Sequence, residues 1–166
     1  LNDSYTTIIL QLILFIFVED FLFYWSHRAL HTSYLYQKFH KQHHEFKVLT
    51  GYCFASEFTD PVESILGNVL PVLVGPLICK PSPHLYTICI WIMIRMFKTC
   101  DAHSGYKFKF SPFNIPYFPF NSSDRHDFHH ETACGSFGSF FCIWDTICGT
   151  DIEYITRQKK LLNKKI

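Results

Sequence analysis

Three apolar stretches, parted by polar segments rich in histidine, set the plan of this chain. Residues 8–18 are apolar apart from Gln11, and residues 21–25 continue the run after Glu19 and Asp20. About 20 apolar residues cross the hydrocarbon core of a bilayer, so residues 5–26 predict a first membrane helix. Residues 62–79, VESILGNVLPVLVGPLIC, predict a second. Gly67, Pro71, Gly75 and Pro76 would disrupt it in water, but such breaks are tolerated in membranes where neighbours satisfy the backbone. Asp60 and Pro61 suit its N-cap and first position. After a tight turn at KPSPH, residues 85–100 predict a third span. It contains Arg95, for which Glu63 is the candidate partner.

The polar segments read differently. Residues 27–47 are basic and aromatic and predict a helix running through two histidine clusters. Residues 48–60 predict a loop. Residues 104–125, rich in Pro, Phe and Tyr, predict an interfacial loop or a lid over an apolar entrance. The second and third spans form a hairpin, which returns His103 to the membrane face that carries residues 27–44. No further span separates it from His126. Nearly all lysines and arginines lie on that face, which the positive-inside rule makes cytosolic or its organellar equivalent. The expectation is an all-α integral membrane protein of one domain over residues 1–166. It has about three membrane helices and a helical histidine-rich cap on the cytosolic (or matrix) face.

Composition agrees. The chain is 48% hydrophobic and 18% aromatic, with 17% charged residues and a formal net charge of +1, which suggests neither nucleic acid nor a strongly acidic partner. Seven cysteines without a C-x-x-C pair argue against a disulfide framework. Cys79, Cys89, Cys100, Cys142 and Cys148 read as small buried hydrophobes.

The chemistry lies in the histidines. His27 and His31 are four apart; His40, His43 and His44 follow an H-x-x-H-H spacing, and so do His126, His129 and His130. With ten histidines in 166 residues, chance gives about 0.03 such matches, and here there are two. Residues three and four apart share a helix face, so each cluster predicts imidazoles aimed one way. Neutral imidazole is a common metal ligand. His84, among prolines, reads as a turn residue. Asp20, Tyr24, His27 and His31 form one helical stripe, which makes Asp20 and Glu19 candidates to orient a ligand histidine. Glu45, beside His44, is a ligand, an orienter or a solvated residue.

ED at 19–20, HRALH at 27–31, HKQHHEF at 40–46, DAHSGY at 101–106, RHDFHH at 125–130 and WDTICGTD at 144–151 together resemble the membrane fatty acid hydroxylase/sterol desaturase superfamily. Within it they are most similar to the methylsterol (C-4 methyl) monooxygenases. The resemblance implies two iron ions, with zinc as a substitute, held by His27, His31, His40, His43, His44, His103, His126, His129 and His130. Glu19, Asp20, Asp101 and Asp127 are candidates to support them. It implies oxidation of an unactivated C–H bond of a lipid, a 4-methylsterol first among them. O2 is the oxidant, and NAD(P)H supplies electrons through a haem carrier and its reductase. It also implies membrane helices upstream of Leu1 and residence in the endoplasmic reticulum, the mitochondrial inner membrane being the alternative. Where relatives carry further histidines, this chain has Thr32 and Arg125, with Asp124 or Asp127 as candidate partners of the arginine. The competing expectation is a catalytically degenerate member serving as a structural subunit of a membrane complex.

Overall fold

The computed structural model describes residues 4–47, 53–115 and 118–164. Among these the fold is helical, with a lone bridge between Phe120 and Phe141 in place of any strand. Helix α1 covers Tyr5–Leu30 and starts where the Ser4 side chain accepts the Thr7 N–H. Its 26 residues reach about 39 Å. Ile9, Leu10, Ile13, Leu14, Phe17, Phe21 and Trp25 face outwards, while Gln11, Phe15, Glu19, Asp20, Tyr24 and His27 face in. An apolar outside around a polar inside reverses the order of a water-soluble helix and suits lipid.

Helix α2 covers Pro61–Ile78, capped by the Asp60 carboxylate on the Val62 N–H as the sequence predicts. Its middle, Ser64–Val69, widens into a π-helix. Pro76 has no N–H for the Val72 carbonyl one turn back, and the Trp91 indole N–H donates to that carbonyl instead, at 3.0 Å. This is the repair by a neighbouring helix that a membrane requires. Gly75 allows α2 to meet α1: a Cβ there would lie 3.0 Å from the Phe15 Cα.

Helix α3 covers Leu85–Ala102, with His84 exposed at its N-cap. Among the described residues two helices, α1 and α2, are long and apolar enough to cross a membrane, against about three expected. The reason lies on the inner face of α3, which carries Arg95, Lys98 and Asp101. Its outer face, Leu85, Ile92, Met93, Met96 and Phe97, is as apolar as those of its neighbours. Cys89 and Cys100 also face outwards, whereas Cys79 and Cys142 are buried. Apolar company predicts burial only where the surroundings are water.

Arg95 does not pair with Glu63. Its Nε donates to Glu19 Oε1 at 2.7 Å, and Ser139 donates to the same oxygen at 2.9 Å. Both charges are buried. Removing one partner of a buried pair strands the other. Arg95→Leu is therefore expected to lower stability by about 3–5 kcal/mol, read as the unfolding midpoint in denaturing detergent. Adding Glu19→Gln is expected to recover much of that loss; no recovery would mean that Arg95 stabilises by packing alone.

Beyond α1, a turn at Ser33–Leu35 leads into a π-helix at Tyr36–His40 and a 3-10 turn at His43–Glu45. The continuous helix expected over residues 27–47 is thus broken at Thr32, whose backbone is extended and whose hydroxyl donates back to the Ala29 carbonyl of α1. The expected loop at 48–60 lies partly outside the described residues, and Cys53–Glu57 forms a 3-10 turn. The described residues of 104–122 hold one short 3-10 turn, Pro112–Asn114, and present Phe108, Phe110, Ile115 and Phe118 outwards. Helix α4 (Ser123–Thr132) carries the last histidines. A loop then leads to α5 (Ile143–Cys148) and α6 (Ile152–Asn163). Under the histidines lies an aromatic core of Phe15, Trp91, Phe113, Phe140 and Phe141 with Cys79.

Candidate metal centre

The nine clustered histidines gather in one place but divide into two groups. His27, His31, His40, His44 and His129 form the first; His43, His103, His126 and His130 form the second. Within each group the candidate ligand atoms all lie within 4.8 Å of one another. In α4 the division follows from helix geometry. Successive residues are 100° apart about the axis, so i and i+4 differ by about 40° while i+3 and i+4 diverge fully. In α4, His126 and His130 turn to the second group and His129 to the first. His40 and His44 turn to the first group and His43 to the second. The expectation that each cluster aims one way holds for His27 and His31 and is corrected for the other two: each H-x-x-H-H segment supplies both groups.

Protons show why this arrangement fits a cation. The Nδ1 atoms of His27, His103 and His129 stand 3.0, 3.0 and 2.6 Å from the carbonyl oxygens of Phe137, Thr99 and Gly135. Nδ1–H donates in each case, which leaves Nε2 as a bare lone pair. In the first group His31 Nε2 lies 3.1 Å from His129 Nε2 and 2.9 Å from His40 Nε2. In the second, His103 Nε2 lies 2.9 Å from His126 Nε2 and 3.5 Å from His43 Nε2. His27 Nε2 is buried with no hydrogen-bond partner among the described residues. A proton joins one pair of nitrogens, not several at once. Metal–nitrogen bonds of about 2.0–2.1 Å bring ligands on one ion to separations of roughly 3 Å, so the residues present fit a metal in each group.

Burial keeps these imidazoles in their ligating, neutral form. It pushes His44 and His103 down to about 4. Burial, aided by neighbouring imidazoles, holds His43, His126 and His129 well below the usual histidine range. The unfolded chain takes up protons below about pH 6.5, whereas the folded site does not until about 4. The metal-free protein is therefore expected to hold its stability above pH 7. Between about 6.5 and 4 each such group should cost it up to about 1.4 kcal/mol per pH unit. Melting temperatures from pH 8 to pH 5 check this, and a flat profile would contradict it.

Two of the candidate orienters, Glu19 and Asp20, are engaged elsewhere. Glu19 binds Arg95 and Ser139, and Asp20 accepts the Phe141 N–H at 2.9 Å; neither bonds a histidine. Asp101 is buried near Lys98 with one carboxylate oxygen unpartnered among the described residues. Asp127 is half-buried in α4. Glu45 is exposed and belongs to neither group. Glu63, assigned from the sequence to Arg95, instead places Oε1 2.9 Å from His40 Nδ1. The Phe137 and Gly135 carbonyls belong to a loop held by Asp145, whose carboxylate accepts the Phe137 and Gly138 N–H groups at 2.8 and 2.9 Å and the Thr150 hydroxyl at 2.6 Å. Gly135 has φ of +59°, and a Cβ there would collide with the Thr150 carbonyl.

Thr32 and Arg125 stand apart from both groups. Thr32 is exposed. Arg125 lies 4.5 Å from the Tyr154 ring centroid and 3.7 Å from Asp151, not on Asp124, which takes Lys107 and the Tyr154 hydroxyl. Both groups are assembled without further imidazoles at these positions.

The fatty acid hydroxylase family matches residues 12–150, and the chain belongs to it. It is 40% identical over 165 residues to a very-long-chain aldehyde decarbonylase of Oryza sativa subsp. indica, covering 97% of this chain and 59% of that protein. It is 38% identical over 165 residues to methylsterol monooxygenase 2-1 of Arabidopsis thaliana, covering 91% and 59%. Methylsterol monooxygenase 2-2 of the same plant is 37% identical over 155 residues, covering 91% and 56%. The chain thus spans less than two thirds of the length of these relatives. No solved structure matches.

Proposed function

We propose that this chain forms the metal-binding body of a membrane oxygenase that oxidises an unactivated C–H bond of a lipid, a 4-methylsterol before others. O2 would be the oxidant, and electrons would come from NAD(P)H through a haem carrier and its reductase. The observation that carries the proposal is the convergence of nine imidazoles, eight buried and His31 half-buried, into two groups on the inner side of apolar-faced helices. Two iron ions, one per group, would supply the redox chemistry, since zinc has none. His27, His31, His40, His44 and His129 would hold one, and His43, His103, His126 and His130 the other.

The chain's own contribution is orientation and dryness. Main-chain carbonyls hold the Nδ1 protons of His27, His103 and His129, so their Nε2 lone pairs face inwards, and Glu63 Oε1 stands 2.9 Å from His40 Nδ1. Phe137 packs against His27, His31 and His129, with ring centroids 4.9–5.6 Å apart. With α3 as a third span, the outer faces would contact lipid and the histidines would face the cytosol from the endoplasmic reticulum. The intact groups favour this reading over the structural-subunit alternative. Identity to an aldehyde decarbonylase favours a second reading, in which the lipid is a long-chain aldehyde.

The test is iron content and turnover of the detergent-purified protein, supplied with NADPH, reductase and haem carrier. Two irons per chain and oxidation of a 4-methylsterol support the first reading. Turnover of a long-chain aldehyde alone supports the second. Well-folded protein that binds no metal would leave the structural subunit in front.

A further inference from the structure

Helices α1, α2 and α3 leave a small cavity against both histidine groups, reached by His27 and His40 of the first and His103 and His126 of the second. Its free volume of about 40 Å³ takes roughly three water-sized occupants. That suits a reacting carbon with its oxygens, not a ring system.

Lys98 lines this cavity and is 2% exposed. Lysine is almost never fully buried unless paired, yet among the described residues no carboxylate lies within ion-pair distance of it. Its Nζ donates to the Asn121 carbonyl at 2.9 Å and stands 5.1 Å from the Phe113 ring centroid. An ammonium has three N–H donors, so two remain. Asn121 is 1% exposed and lines the same cavity. Its Nδ2 donates to the Gly138 carbonyl, which turns Oδ1 to be an acceptor with no partner among the described residues. Spare donors beside a spare acceptor, both buried, match a group that accepts and donates at one atom. A hydroxyl does so; a methyl does neither, and a carboxylate only accepts.

We infer that Lys98 and Asn121 form a hydroxyl-binding subsite, which holds the alcohol left on the lipid carbon by a first oxidation. This deepens the oxygenase reading and rests on it. The first oxidation takes R–CH3, O2, two electrons and two protons to R–CH2OH and water. The second takes R–CH2OH, O2, two electrons and two protons to R–CHO and two waters. Lys98 donates to the alcohol oxygen and Asn121 Oδ1 accepts its proton, so the alcohol stays beside the histidines for the second oxidation instead of leaving.

The experiment measures binding of matched lipids to the full chain in nanodiscs, zinc-loaded and metal-free. The probes are a 4-methylsterol with its 4-hydroxymethyl counterpart, and octadecane with octadecanol. Wild type is expected to bind at least one alcohol about tenfold more tightly than its parent hydrocarbon, with or without metal. Lys98→Met should bring the two within about twofold, and Lys98→Arg should keep part of the preference. In the iron-loaded enzyme, Lys98→Met should release a larger share of product as alcohol. No preference in wild type for either pair means that the cavity holds water only and overturns the inference, whether or not the variant folds. A preference that survives Lys98→Met and needs metal assigns the hydroxyl to the metal and overturns it too. Failure of the oxygenase reading shows separately, as no lipid-dependent O2 consumption by the iron-loaded protein.

Discussion

Replacing His129 by alanine is expected to empty one metal centre and leave the other loaded, while replacing the adjacent His130 does the reverse. The two residues share one turn of α4, but their side chains diverge by about 100° and enter different groups. His129 Nε2 lies 3.1 Å from His31 Nε2 in the first group, and His130 Nε2 lies 3.2 Å from His126 Nε2 in the second. Loss of an orienting partner alone costs about 10–100-fold in metal affinity, and loss of a ligand exceeds that. Each variant is therefore expected to keep one metal per chain and to lose turnover by more than about 100-fold. His43→Ala should behave like His130→Ala, and His44→Ala like His129→Ala. Elemental mass spectrometry of the four purified variants reads the outcome. If every variant lost both metals, or none, the division into two centres would fail.

That division shows where the sequence is readable. The outward apolar faces, the Asp60 cap and the gathering of nine histidines follow from period and spacing, because those patterns record a residue's own surroundings. Pairings across the bundle are different. Glu19 interrupts one apolar run and Glu63 stands near the start of another, and only the packing of α1, α2 and α3 puts Arg95 on one and His40 on the other. The assignment of histidines to groups depends on the break at Thr32 and the π-turn ending at His40, which shift the angles that a continuous helix would give. The orienters of His27, His103 and His129 were beyond sequence reasoning for a simpler reason. They are main-chain carbonyls, and every residue has one. The available signal was indirect: a Gly-rich loop at 135–138 followed by a buried aspartate in WDTICGTD.

That aspartate makes the second large effect local and testable. Asp145 is 0% exposed, and its two oxygens hold the Phe137 and Gly138 N–H groups and the Thr150 hydroxyl, not a histidine. The Thr150 N–H closes the turn on the Asp145 carbonyl at 2.8 Å, and the Thr150 carbonyl takes the Ser136 N–H at 2.9 Å. The Phe137 and Gly135 carbonyls, which orient His27 and His129, are thereby fixed. In Asp145→Ala two buried N–H donors lose their acceptor, each at about 1–3 kcal/mol, and the half-buried Thr150 hydroxyl loses its own. The two carbonyls are then free to turn away. Both histidines they orient belong to the first group, while His103 of the second takes its bond from the Thr99 carbonyl within α3. Asp145→Ala is thus expected to lower stability by about 3 kcal/mol or more and to weaken metal in the first centre about 10–100-fold, with the second centre retained. A chelator titration that follows the two metals separately reads this. Equal weakening at both centres would show general unfolding, and an unchanged first centre would show that the loop carbonyls do not set the imidazoles.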